Sequence, residues 1–447
     1  MGPDEFETKP DLDGTSEAVR SIGQEDGGAT WSRPSRRRFL GATTTGGLGA
    51  LLAGQFDLAA AAIAEGELAV PPPTGSDVGS LFPFIQRQAV EGQFPLSFLN
   101  PEFNDAERWK SVARAKLLEL LHYAPPPCDP QGETVEREDC GDYFRERVLF
   151  STAPDIRVPA FVLVPKNSPP PFPTVIALHD HGAFYMWGKE KIVETPNEHP
   201  RLAEFRRQHY GGKSVGVELV RLGYLVVVID MFYWGERRML LDGDPQDWLE
   251  RSNALSRERI DAFHSRASQY ESLVGRTIYA AGFTWPGVMF WDDIRTVDYL
   301  VTRPDVDRLR IGCVGLSVGG LRACHLAALD ERLRTAVVVG WMASFPHQLK
   351  NHIKNTIGHT KVVPGLYRYL DYPDVAALAA PTPLLVINGA QDALFQQDGV
   401  KASFEKLHAC YCKAGVPDRC RTRLYDSPHE FNEAMQTEAW DWLKRWI

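Results

Sequence analysis

The sequence predicts an α/β fold: a mostly parallel, doubly wound sheet with helices on both faces, an inserted segment and an N-terminal helical extension. Three observations carry this expectation. Short runs that are apolar at nearly every position recur along the chain, as "PTVIALHD", "YLVVVID", "RIGCVGLS", "TAVVVGW" and "PLLVING", followed by "RTRLYDS". A strand that is apolar on both faces is one buried on both, as interior parallel strands are. Segments of helical periodicity separate them, namely "KSVGVELVRLG", "WDDIRTVDYLVTR", "GGLRACHLAALD" and "FEKLHACYCKAG", with "EAMQTEAWDWLKRWI" closing the chain. Alternating strands and helices supply the crossovers that a parallel sheet needs. No internal repeat interrupts the order.

The first 64 of the 447 residues read differently. They are polar and Gly-rich up to Ser35-Arg36-Arg37-Arg38-Phe39-Leu40, which resembles a twin-arginine export signal. The apolar run behind the arginines is broken by Gly and Thr and is too weak for a stable membrane span. Ala62-Ile63-Ala64 then offers a small-x-small cleavage site. Residues 1–64 are therefore expected to be a disordered signal region that meets the twin-arginine translocase, and the mature chain to be periplasmic or extracellular. Residues 65–100 read as a Pro-rich linker, and residues 101–447 as the domain.

The domain opens with "NDAERWKSVARAKLLELLH", where Trp109, Val112, Ala113, Leu117, Leu120 and Leu121 fall at helical spacing and Asn104 with Glu107 resembles a capping signal. "YFRERVLFS" and "RVPAFVLVP" follow as two strands of a hairpin. Residues 231–290 are too long for a simple connection and are expected to form an insertion or lid. The seven cysteines are an odd number and make no complete disulfide framework. Cys313 and Cys324 read as buried thiols, and Cys128 and Cys140 as the pair a disulfide would join. Cys410 and Cys412, near Cys420 and His408, sit two apart on a predicted helix and so face different ways. A formal net charge of -9 argues against attraction to nucleic acid, leaving small or neutral partners.

The pattern G-x-S-x-G occurs twice, around Ser214 and Ser317. Ser214 has no strand before it. Ser317 follows a strand and precedes a helix, the context in which a sharp turn presents a nucleophile. A serine hydroxyl needs an imidazole to take its proton and a carboxylate to orient that imidazole. In such a sheet they follow in the order Ser, acid, His, beyond strand ends. Asp392 stands just after "PLLVING" and His429 just after "RTRLYDS". Of the twelve histidines, only His429 combines a C-terminal position with a loop after a strand.

Through "LHDHGAFYMWGKEK", "DMFYWGER", "WDDIRTVDYL", "RIGCVGLSVGG", "INGAQDALF" and "SPHEF", residues 100 to 447 resemble the α/β-hydrolase superfamily, closest to its bacterial acetyl xylan esterase and dienelactone hydrolase-like members. The resemblance implies Ser317 as nucleophile, His429 as general base and then acid, and Asp392 as its orienting partner. The residue after the nucleophile, Val318, would supply one oxyanion N–H, and Ala183, in a His-Gly stretch, the second. Tyr185, Trp187, Phe232, Tyr233 and Trp234 follow strand ends on the same face and are expected to line the substrate pocket. Glu236, Arg237 and Arg238 are expected to form an ion-pair network behind it.

His179 and His181 form an H-x-H pair, but no third metal ligand is evident, so neither metal nor cofactor is expected. The implied function is an exported serine carboxylesterase for short-chain, above all acetyl, esters, with carbohydrate esters favoured. The alternatives are a prolyl-oligopeptidase-like peptidase and a noncatalytic binding protein of the same fold. A dinucleotide-binding reading fails because "GLSVGG" lacks the G-x-G-x-x-G spacing.

Overall fold

Strands apolar at every position end up buried at every position, and they fix the middle of the sheet. The computed structural model describes residues 75, 81–90, 92–249, 254–353 and 357–447. The strands are β1 (Glu133–Asp139), β2 (Tyr143–Ala153), β3 (Ile156–Pro165), β4 (Phe172–Leu178), β5 (Leu225–Ile229), β6 (Val306–Leu316), β7 (Leu333–Val339), β8 (Leu384–Gly389) and β9 (Cys420–Tyr425). They form one nine-stranded sheet in the order β1-β2-β3-β5-β4-β6-β7-β8-β9. β1 to β3 run as an antiparallel meander and β3 pairs antiparallel with β5. The remaining pairs are parallel.

The chain leaves β4 for β5 on one side and returns to β6 on the other. The C-terminal ends of β4 and β6 therefore bound the crevice where an open α/β sheet binds ligands. β5 and β8 are buried throughout. The edge strand β1 was not legible as a strand, because "ETVERED" has no apolar alternation and six of its seven residues are exposed. Its charges guard an edge that would otherwise recruit another strand.

The helix Ala106–Leu121 forms as its spacing requires, with Trp109, Ala113 and Leu117 buried. Its cap is Asp105, one residue beyond the expected Asn104, whose carboxylate accepts from the Glu107 and Arg108 amides. Val112, expected on the buried face, is exposed. The segment expected as a linker contains a helix, Phe82–Gln88. Phe82, Phe94 and Phe98 tie that segment down by burial. The twin-arginine-like motif Ser35–Leu40 and the Ala62–Ala64 site lie outside the described residues. Among the described residues, no helix is long and apolar enough to cross a membrane.

After β5 the chain forms the 24-residue helix Arg257–Ala280 and then the crossover helix Trp285–Thr302, which starts inside the expected insertion. Cys313, Cys324 and Cys410 are buried, and Cys412 is exposed, as the helix spacing required. Cys128 and Cys140 are free thiols and are not joined.

Behind the helix Val318–Leu329, Arg322 holds Asp293 by two bonds of 3.0 and 2.6 Å, both side chains being fully buried. Burial pushes the Asp293 carboxyl up to about 6, against the pull of Arg322. Removing one partner strands a buried charge, so Asp293→Ala is expected to cost about 3–5 kcal/mol in a urea unfolding titration. A loss below about 1 kcal/mol, the range of an exposed pair, would contradict this account of the pair.

Candidate active site

Ser317 joins β6 to the helix Val318–Leu329 at φ 60° and ψ −120°, a region that few non-glycine residues occupy. Its amide donates to the Val339 carbonyl at 2.8 Å, which ties the turn to the end of β7. The flanking glycines are required by contact. A Cβ on Gly319 would lie 2.0 Å from the Leu178 oxygen, and one on Gly320 2.5 Å from the Val339 oxygen. Gly315 would meet the Gly319 carbonyl carbon at 2.3 Å. Gly319→Ala is accordingly expected to destabilise by about 1–3 kcal/mol, as overpacked sites do. A melting temperature equal to the parent's would refute that close approach.

A serine before a helix ordinarily caps it. Here the positive φ turns the side chain away, and Ser317 makes no capping bond. Among the described residues its hydroxyl has no hydrogen-bond partner. The Val318 amide stands in the first turn of the helix, where no carbonyl four residues back can accept from it.

Asp392 and His429 meet across the loops after β8 and β9. Those loops are zipped together by Ala390 N to Tyr425 O at 2.7 Å and Gln391 N to Ser427 O at 3.0 Å. The fully buried Asp392 places Oδ2 2.6 Å from His429 Nδ1, while its Oδ1 accepts from the Leu394 amide at 2.9 Å. Burial works against charging His429, but the Asp392 charge and hydrogen bond outweigh it and hold the imidazole above its ordinary pKa. Gly340, next after the Val339 that Ser317 bonds, would carry a Cβ 3.1 Å from His429 Cε1. The end of β7 thus has Ser317 on one side and His429 on the other. No hydrogen bond joins Ser317 to His429.

Ser214 takes a different place. It sits buried at the N-terminus of the helix Val215–Arg221, donates to the Ile192 carbonyl at 3.1 Å and accepts from the Glu194 amide at 3.0 Å. Its hydroxyl is fully used in tying two loops together.

The loop after β4 departs from expectation. The Ala183 amide donates to His181 Nδ1 at 3.0 Å, so it is not a free oxyanion donor in this arrangement. The His181 Nε2 is thereby left as the donor, and it reaches Glu271 Oε1 at 2.6 Å on the insertion helix. Burial holds His181 below its ordinary pKa despite Glu271. His179 bonds the Asp180 carbonyl at 2.9 Å through Nδ1 and accepts from the Met231 amide at 3.1 Å through Nε2. Both nitrogens of each ring are engaged by protein groups, which accounts for the H-x-H pair without a metal. Asp180 accepts from Tyr210 Oη at 2.6 Å. Its own burial is outweighed chiefly by the charge of Lys191, which keeps the carboxyl below the usual range.

The expected pocket aromatics form a buried wall. Tyr185, Trp187, Tyr233 and Trp234 are buried and Phe232 is partly so. Tyr185 stacks on Trp234 at 4.9 Å, and Tyr233 meets Trp285 edge-on at 5.2 Å. The insertion packs over them, and its helix takes the Tyr233 hydroxyl at the Ala267 carbonyl, 3.0 Å away. Trp187 lines a separate cavity of about 310 Å³, with Glu136, Arg145, Arg147 and Glu236, away from Ser317.

The network behind is present in altered form. Glu236 pairs with Arg147 and Lys189, and Arg237 with Asp292, while Arg238 binds the Trp248, Gly235 and Leu249 carbonyls. Glu271 was missed altogether, since nothing along the sequence separates it from the other polar residues of its helix.

The Abhydrolase family profile matches residues 84–438. YtaP of Bacillus subtilis (strain 168), a hydrolase by name, is 27% identical over 338 residues, which are 76% of this chain and 100% of that protein. Among solved structures, a Bacteroides fragilis NCTC 9343 protein described as an acetyl xylan esterase superposes with a TM-score of 0.58 at 17% identity, over 79% of this chain and 85% of that one. A glucuronoyl esterase from Solibacter usitatus gives 0.56 at 15% identity, over 80% and 99%. Both share the α/β-hydrolase fold with this chain.

Proposed function

The chain belongs to the Abhydrolase family, and from that premise we propose that it is an exported serine carboxylesterase acting on acetyl and other short-chain esters, with acetylated carbohydrate as the favoured substrate class. One observation carries the reading. Ser317, whose hydroxyl makes no capping bond, stands in a strained turn, and it and a His429–Asp392 pair at 2.6 Å flank the same strand end.

In this reading Ser317 Oγ attacks the ester carbonyl while His429 Nε2 takes its proton. Asp392 fixes the ring, with Nδ1–H directed at its carboxylate, and stabilises the imidazolium that forms. The Val318 amide and the positive end of its helix receive the developing oxyanion. A second donor from Ala183 requires its bond to His181 to open first. His429 then protonates the leaving alcohol, and a water activated by the same imidazole releases the acid.

The esterase names of the two structural neighbours support carbohydrate esters. The segment Ser35–Leu40 supports export. The test is hydrolysis of 4-nitrophenyl acetate, butyrate and octanoate and of acetylated xylan. The expected result is turnover that falls with acyl length and acetate release from the polysaccharide. Turnover of none of the four would sink the proposal.

A further inference from the structure

The chain is acidic overall, yet no Asp or Glu stands between Glu331 and Asp371, a stretch that holds Lys350, Lys361 and Arg368. That stretch leaves β7 at Gly340, against His429. Its part from Gly358 to Val362 then packs on the insertion helix Arg257–Ala280. Tyr279 Oη donates to the His359 carbonyl at 3.4 Å, and a Cβ on Gly275 would lie 2.6 Å from the His359 side chain. A Cβ on Gly358 would lie 3.9 Å from Glu271 Oε2, and the Lys361 amide closes a turn on the Gly358 carbonyl at 3.0 Å. Glu271 itself holds His181, in the loop that starts at Leu178, whose carbonyl oxygen presses on Gly319. Lys361 therefore belongs to a turn packed on the insertion helix beside Glu271, which reaches the loop after β4 through His181.

Among the described residues the Lys361 ammonium makes no hydrogen bond and no ion pair, and the side chain is half-buried. The carboxylate beside it, on Glu271, gives its Oε1 to His181. The Lys361 charge opposes protonation of both His181 and His429, which puts it within electrostatic reach of the candidate general base. Burial penalises the Lys361 charge and Glu271 offsets that only in part, so a ligand that brings further negative charge recovers some of the cost.

Resting on the esterase reading above, we infer that Lys361 is an anion subsite of the same active site and that it takes a free carboxylate carried by the substrate. The favoured esters are then those of uronate-bearing saccharides, with an acetyl group on the sugar facing Ser317 and the uronate carboxylate on Lys361. A charge-assisted hydrogen bond of this kind discriminates by about tenfold to a hundredfold.

The test compares acetate release from acetylated methyl β-glucuronide and from acetylated methyl β-glucoside by the parent, Lys361→Gln and Lys361→Arg. The parent is expected to favour the glucuronide in kcat/KM by about tenfold or more, Lys361→Gln to bring the ratio near one, and Lys361→Arg to keep it. A ratio near one in the parent, or one unchanged in Lys361→Gln, would overturn the subsite while leaving the esterase reading intact. A second readout needs no turnover: Ser317→Ala, with and without Lys361→Gln, is titrated calorimetrically with glucuronate and glucose. Uronate binding that depends on Lys361 supports the subsite even if neither ester is hydrolysed, in which case the esterase reading alone falls. Binding that ignores Lys361 overturns the subsite.

Discussion

Ser317→Ala is expected to lower kcat for 4-nitrophenyl acetate by about a millionfold, as loss of the nucleophile does in serine hydrolases of this mechanism. The oxyanion donors and substrate contacts would then sustain about a thousandfold residual acceleration over water. The size of the loss follows from the absence of any substitute. Ser317 is the residue at the strained turn, its hydroxyl is committed to no cap or neighbour, and the His429–Asp392 pair lies across the end of β7 from it. Ser214→Ala is the control that the repeated pentapeptide demands. Its hydroxyl makes two structural bonds, so it should cost about 1–2 kcal/mol of stability and leave turnover within about twofold. Equal losses in the two variants would mean that the pentapeptide context was misread.

Asp392→Asn carries the second large effect, a fall of about ten-thousandfold in kcat, because an amide neither stabilises the imidazolium nor fixes the productive tautomer. It has a signature that mere unfolding lacks. In the proposed mechanism His429 must be neutral to accept the Ser317 proton, so kcat/KM is expected to fall as pH drops through the His429 pKa. In the parent that pKa is held up by Asp392 against burial. Removing the carboxylate leaves burial opposed by less, so the acid limb of the profile should move to lower pH while its plateau collapses. A variant whose acid limb stays in place would show that another group controls it.

The triad candidates were legible because they lie just beyond strand ends, where periodicity and chain order constrain position. Ser317 and Asp392 follow the apolar interior strands β6 and β8, whereas His429 follows the polar edge strand β9 and was placed by chain order. What escaped depends on side chains meeting across distant segments. Ala183 was chosen by likeness to a His-Gly stretch, and nothing in that stretch says that the ring of His181 folds back onto the Ala183 amide.

Glu271 is one polar residue among many on a helix, and only the packing of Arg257–Ala280 over the β4 loop makes it the partner of His181. Tyr185, Tyr233 and Trp234 sit where pocket residues sit along the sequence, but the insertion buries them. A strand-end aromatic has the same local signature whether a ligand or a helix covers it. β1 was missed for the opposite reason, since an exposed edge strand carries no apolar alternation.

The most direct measurement is covalent trapping. The protein is incubated with a fluorophosphonate, which phosphonylates an activated serine hydroxyl, and the adduct is located by intact mass and peptide mapping. A single adduct on Ser317, absent from Ser317→Ala and retained in Ser214→Ala, is the predicted result. An adduct on Ser214 or another residue, or full ester turnover with no adduct at all, would contradict the assignment of Ser317 as the nucleophile.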